Sequence, residues 1–151
     1  MITENVNRYF SLIKHNVNLL DLLTGDRPKH LKDEDFSDWQ VTVIFYISCI
    51  YMKTVCSLFD IDIQDHYTLH SIINTRKDLS LYPISKDYRH IEEAARDARY
   101  EGRKFDKDYL RERILGKYNK VRDCAVSIIR QKGINNVVHA DIKPFLDRLN
   151  K

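Results

Sequence analysis

Apolar side chains return at three- and four-residue steps along most of this chain, the period of an α-helix with one face in a core. From about Glu4 to Leu23, the residues Val6, Tyr9, Phe10, Ile13, Val17, Leu20 and Leu23 form a single stripe. Gly25 follows and predicts a left-handed cap, and Asp26 to Asp33, with Pro28 inside it, reads as a polar connection. The next segment differs in kind. Beginning near Phe36, with Ser37 or Asp38 placed to cap it, the run from Trp39 to Phe59 is apolar on nearly every side. Such a helix belongs in the middle of a bundle, with neighbours covering most of its circumference.

Shorter pieces follow. Asp60 to Gln64 is a link, and a third helix is expected over Asp65 to Leu79. Pro83 breaks the chain, Ser85 is placed to cap a fourth helix from Lys86 to about Gly102, and the glycine ends it. A fifth helix is expected from Asp106 to Lys132, with Gly133 as its stop. Gly116 inside it costs about 1 kcal/mol relative to alanine. A final short helix over Asp141 to Leu149 accommodates Pro144 in its first turn. With only four glycines and three prolines in 151 residues, a many-turned β fold is disfavoured. The expectation is one all-α domain over residues 1–151: an up-and-down helical bundle of four to five long helices plus a short C-terminal helix.

Charge changes this picture little. Twenty-five basic and 22 acidic side chains leave a net +3, a mild bias that does not by itself point to nucleic acid. Cys49, Cys56 and Cys124 include no CxxC pair. On a helix Cys49 and Cys56 share a face about 10 Å apart, beyond the reach of a disulfide. Reduced thiols in a core and a cytoplasmic location are therefore expected. Met1 to Asn7 is polar and does not read as a signal peptide. Trp39 to Met52 carries no charge, but it is shorter than the roughly 20 residues of a bilayer span, and Lys53 interrupts it. A buried core helix and no membrane partner are expected.

Candidate chemistry gathers on the third and fourth helices. His66 and His70, four apart, share a helical face, and Arg76 lies within about a third of a turn of His70. Metal-independent RNA cleavage needs a proton acceptor for the 2′-hydroxyl, a proton donor for the leaving oxygen and a cation at the phosphate. Two histidines and an arginine suit those roles, while a solvated face explains the same spacing. The histidine pair also has zinc-ligand spacing, but no third ligand is specified, so no metal is expected. Arg89, Arg96 and Arg103, with Arg99 between them, fall on related turns and can follow a phosphate backbone. Their interleaving with Glu92, Glu93 and Asp97 equally makes an ion-paired outer face. Arg8 and His15 satisfy R-x6-H by number alone, and the basic bias in the first half of helix five reads as a solvated face. Phosphate loops, nucleophile elbows, magnesium carboxylate motifs and zinc-finger spacings do not occur.

Two stretches carry a resemblance. Trp39 followed by Phe45-Tyr46-Ile47-Ser48-Cys49-Ile50 resembles the W…FYAAxH opening of the core helix in the HEPN (higher eukaryotes and prokaryotes nucleotide-binding) family. Tyr88-Arg89-His90-Ile91 and Arg96-Asp97-Ala98-Arg99-Tyr100 are similar to that family's Y-x-x-L…S-x-x-A-R-Y helix, at the expected spacing. The likeness covers about Trp39 to Arg103. Ile50 stands where the family often has histidine, and Leu69 and Ile73 stand where an H-x-x-R pair would place arginine. The late R-x4-6-H of ribonuclease members is unmatched in helices four to six.

The resemblance implies a helical homodimer acting on RNA, without cofactor or metal, in a prokaryotic defence or toxin–antitoxin system. As a metal-independent endoribonuclease it would use His70 for acid–base work and Arg76 to anchor the phosphate, with Arg99 assisting and Arg89, Arg96 and Arg103 along the RNA. The missing late motif supports the alternative, a non-catalytic module that binds a partner protein.

Overall fold

A computed structural model describes residues 2–25 and 28–148, with the side chains described from Glu4 onward. Every regular element among them is helical. The four long helices are α1 (Ile2–Thr24), α2 (Ser37–Ser57), α4 (Ser85–Glu101) and α6 (Gly116–Gln131). The shorter α3 (His66–Thr75) precedes α4. The one-turn α5 (Lys107–Tyr109) and a π-helical segment (Leu110–Leu115) lead without a break into α6, and α7 (Lys143–Arg148) ends the described chain.

The directions of the long helices follow from which ends meet. Gln40, at the start of α2, donates to the Leu23 carbonyl at the end of α1, so these two run antiparallel. Phe105, just past α4, donates its N–H to Ser37 Oγ at 2.8 Å, while Tyr88 near the start of α4 packs on Phe45. Arg103, just past α4, stacks on Tyr109 at the start of the continuous helical run 107–131, so α4 and that run are antiparallel. Asp87, further back on α4, reaches Lys117 and Lys120 in the middle of the run. The result is an up-and-down bundle in which α2 packs against α1, α4 and α6. Its apolar circumference is covered accordingly: Ile44, Phe45, Ile47, Tyr51, Met52 and Val55 are all fully buried. α2 is in fact long and apolar enough to cross a membrane, so length does not decide the matter. What marks it as a core helix is that 78% of its most apolar window lies inside the protein.

Buried tyrosines tie the end of the chain to this core. Tyr51 Oη donates to the Val138 carbonyl at 2.7 Å and accepts the Ala140 N–H at 2.9 Å. Tyr118 Oη donates to the Ala140 carbonyl at 2.7 Å. Burial pushes the Tyr51 hydroxyl up to about 12, so it remains a donor throughout the physiological range. Cys49 and Cys56 are buried free thiols, as expected, and burial pushes Cys56 up to about 11.

Four local readings are corrected. Gly25 does not adopt the left-handed conformation; its N–H simply continues the α1 pattern to the Asp21 carbonyl at 2.8 Å. The third helix stops at Thr75, because Arg76 turns out of helical geometry (ψ 86°) and Lys77–Leu79 forms a separate 3-10 turn ending at left-handed Ser80. That turn buries Leu79, and the following Leu81 is buried as well. Ser85 is the first residue of α4 and not its cap, since a 3-10 turn at Tyr82–Ile84 feeds directly into the helix. The fifth helix is not uniformly α: the π segment keeps Leu110 and Ile114 buried and ends at Gly116. Pro144 does lie in the first turn of α7.

Candidate functional site

Asp65 sets the register of α3. Its carboxylate accepts the Thr68 N–H at 2.7 Å and the Thr68 hydroxyl at 2.9 Å, which ends the preceding link and starts the helix at His66. Leu69 and Ile73 then enter the core. His66 sits one turn before Leu69 at the edge of that face, its ring against Phe45, and His70 and the exposed Tyr67 flank it. α4 too has a core face. Tyr88, Ile91, Ala94, Ala95 and Ala98 are buried, and the arginines and glutamates between them line a cleft against α3. This cleft, about 470 Å³, is bounded by His66, Tyr67 and His70 on one wall and by Arg89, Arg96, Arg99 and Tyr100 on the other. Glu92 and Glu93 also reach it.

The arginines differ sharply in what they hold. Arg89 is on the cleft wall but donates to Glu93 at 2.8 Å. Arg99 has no ion-pair partner among the described residues, and its Nη1 is buried without a hydrogen bond. Its guanidinium carbon lies 5.3 Å from the Phe45 ring centroid and 5.7 Å from those of Tyr46 and Tyr100. Aromatic faces favour the cation while leaving its N–H groups unspent. An unspent planar donor set in a cleft suits a phosphate or carboxylate.

His66 lies beside it. Its ring is 5.3 Å from that of Phe45, and its Nδ1 is 3.6 Å from Cys49 Sγ. Burial, seconded by the nearby Lys53 charge and partly countered by Glu92, lowers the imidazole below its ordinary 6.5, so His66 is neutral at pH 7. His70 is steadied from below, where Asn74 Nδ2 donates to its carbonyl at 2.9 Å and sits 3.3 Å from its ring nitrogen.

Comparison of the chain with protein-family models, curated proteins and solved structures found no match. The site is therefore read from its own geometry.

Of the residues singled out in the sequence, His70, Arg99, Arg89 and Arg96 come together at this cleft. Arg76 and Arg103 are not among its lining residues. Arg76 forms a fork with Asp78, Nε to Oδ1 at 2.8 Å and Nη2 to Oδ2 at 2.7 Å. Arg103, past the left-handed Gly102, stacks over Phe105 and Tyr109 and pairs with Asp97 at 3.2 Å. Among the described residues, no three histidine, cysteine or acidic side chains gather as metal ligands, so His66 and His70 have no third partner there. His66 takes the position that the helical-face argument had offered jointly to it, His70 and Arg76. Tyr100, which the sequence offered with Tyr88 as a core-packing ring, is instead 75% exposed at the cleft, while Tyr88 is buried. Tyr67, 85% exposed there, was not picked out as a site residue. Large exposed rings bordering arginines are the signal that was there to find.

Proposed function

We propose that this is a HEPN-like RNA-associated domain, that a phosphodiester sits on Arg99 in the α3–α4 cleft, and that His66 and His70 cleave the RNA there without metal. One observation carries the reading: a guanidinium held between aromatic rings, with a buried N–H and no protein acceptor, in a cleft shared with two histidines.

The chemistry follows from the two imidazoles being one helical turn apart, with Cβ atoms about 5–6 Å from each other. Neutral His66 accepts the proton of the 2′-hydroxyl, and the 2′-oxygen attacks the adjacent phosphorus. His70, as the general acid, gives a proton to the departing 5′-oxygen. The products are a 2′,3′-cyclic phosphate and a 5′-hydroxyl, and Arg99 holds the charge that builds on the phosphoryl oxygens. Arg96 extends the cationic wall along the strand.

The test is cleavage of end-labelled single-stranded RNA in EDTA. Arg99→Ala is expected to slow it by about 10²–10³-fold, the usual loss for one charge-stabilising donor. His66→Ala and His70→Ala should also be slow, Arg76→Ala should match the parent, and a 2′-deoxy substitution at the cut position should block the reaction. If the parent neither binds nor cuts RNA, the second reading takes over. Leu12 and Leu19 on α1, and Trp39 and Tyr46 on the antiparallel α2, remain exposed, which suits a module that docks on a partner protein or on its own copy.

A further inference from the structure

A second cavity adjoins the first. It measures about 480 Å³ and lies between the first half of α1, the second half of α2 and the link before α3. Arg8 and Lys53 stand on its walls, and neither has an ion-pair partner among the described residues. The acid that lines it, Asp62, takes a hydrogen bond from Gln64. His66 lines both cavities. Tyr46 lines the second and presents its ring to the Arg99 guanidinium of the first.

We infer that Arg8 and Lys53 form a second phosphate subsite, across His66 from Arg99, so that the ligand is a single strand of RNA long enough to occupy both cavities. This rests on the RNA reading of the α3–α4 cleft. Unpaired cations line two separate cavities with a histidine shared between them and a tyrosine facing both, one anionic group to each cavity. A chain of phosphates supplies both. Cations alternating with exposed rings (Arg8 and Lys53, then Tyr46, then Arg99 and Arg96, then Tyr67 and Tyr100) is the pattern by which unpaired strands are held, the backbone on the charges and the bases on the rings. Paired bases would not be free to lie on those rings, which favours a single strand over a duplex. An acidic peptide could answer the charges but has no use for the rings.

The experiment measures affinity of the full chain for 5′-labelled, 2′-O-methyl oligouridylates of increasing length, which cannot undergo attack by the 2′-oxygen. Affinity should rise with length until both cavities are filled. Arg99→Ala should weaken every length. The Arg8→Gln, Lys53→Gln double variant, which keeps the side-chain stems, should leave the dinucleotide unchanged and weaken the long oligomers. It should also make the slope of log K against log salt shallower by roughly 0.7, for the one phosphate that the protein no longer neutralises. Tyr46→Ala should weaken long oligomers without altering that slope. If the double variant binds long oligomers like the parent while Arg99→Ala does not, the second subsite is overturned and the first cleft stands. If the parent binds no oligomer, both fall. Oligoglutamate bound as tightly as RNA, with no dependence on Tyr46, would overturn the assignment to a nucleic acid strand.

Discussion

A guanidinium that nothing in the protein accepts is a cost to the fold. A buried donor left without a partner is destabilising by about 1–3 kcal/mol, and the rings around Arg99 return about 0.5–1 kcal/mol of that as cation–π attraction. Arg99→Met keeps the stem and removes the donors. The variant is expected to be as stable as the parent or more stable by up to about 2 kcal/mol, while losing most of its RNA affinity. Chemical denaturation beside an RNA-binding titration reads both. A large loss of stability would show that Arg99 is a structural residue with a partner. In sequence, Arg99 and Arg76 look alike, each a helical arginine near histidines or aromatics. What separates them is Asp78, two residues after Arg76 and able to curl back on it once the helix ends. That is an outcome of where α3 stops, at an Arg76 that leaves helical geometry and leads into a separate turn with Leu79 buried.

At the scale of elements, periodicity carried far. The stripe on α1 and the all-round apolar α2 were legible because each runs for several turns, long enough for the 3.6-residue period, or its absence, to stand out. Short-range punctuation was less faithful. Ser85 has the chemistry of a cap, yet the preceding 3-10 turn already supplies helical geometry, so its hydroxyl is not needed there. The π segment was invisible, since Leu110 and Ile114 fit an α pattern equally well. Gly116 closes that segment with ordinary helical angles (φ −61°, ψ −40°), and a Cβ placed on it would meet nothing within 4 Å. Neither backbone conformation nor close packing requires a glycine here. Gly116→Ala should therefore stabilise the protein by about 1 kcal/mol. In a domain of this size that is a rise of about 2–4 °C in Tm, read by circular dichroism. A fall would mean that the passage from π to α geometry uses the glycine's freedom.

The whole molecule joins these elements through its titratable groups, and they divide its acid response into two windows. His66 and His90 are both lowered from 6.5 chiefly by burial, with Lys53 and Lys117 as the next contributors. Between those lowered values and 6.5 the unfolded chain binds protons that the fold resists, so stability present above pH 6.5 is lost as the pH falls through that interval. Asp65, Asp78, Asp123 and Asp147 are lowered from 3.8 by hydrogen bonds from Thr68, Arg76, Arg122 and Lys143 respectively. Their contribution is intact above 3.8 and disappears as the pH drops through each folded value. Tm should thus decline in two stages, one as the pH falls below 6.5 and a second below about 4. Replacing His66 and His90 together by glutamine should flatten the first stage and largely leave the second, because the carboxylates are lowered chiefly by other partners, His66 being only the smallest contributor at Asp65. The first stage also bears on the site. It reports the same desolvation of His66 that keeps the imidazole neutral, and cleavage should weaken over the same interval as His66 gains its proton. A Tm that shows no decline as the pH falls below 6.5, ahead of the carboxylate stage, would mean that water reaches His66 freely, and a base in that position would then titrate at 6.5 like any exposed histidine.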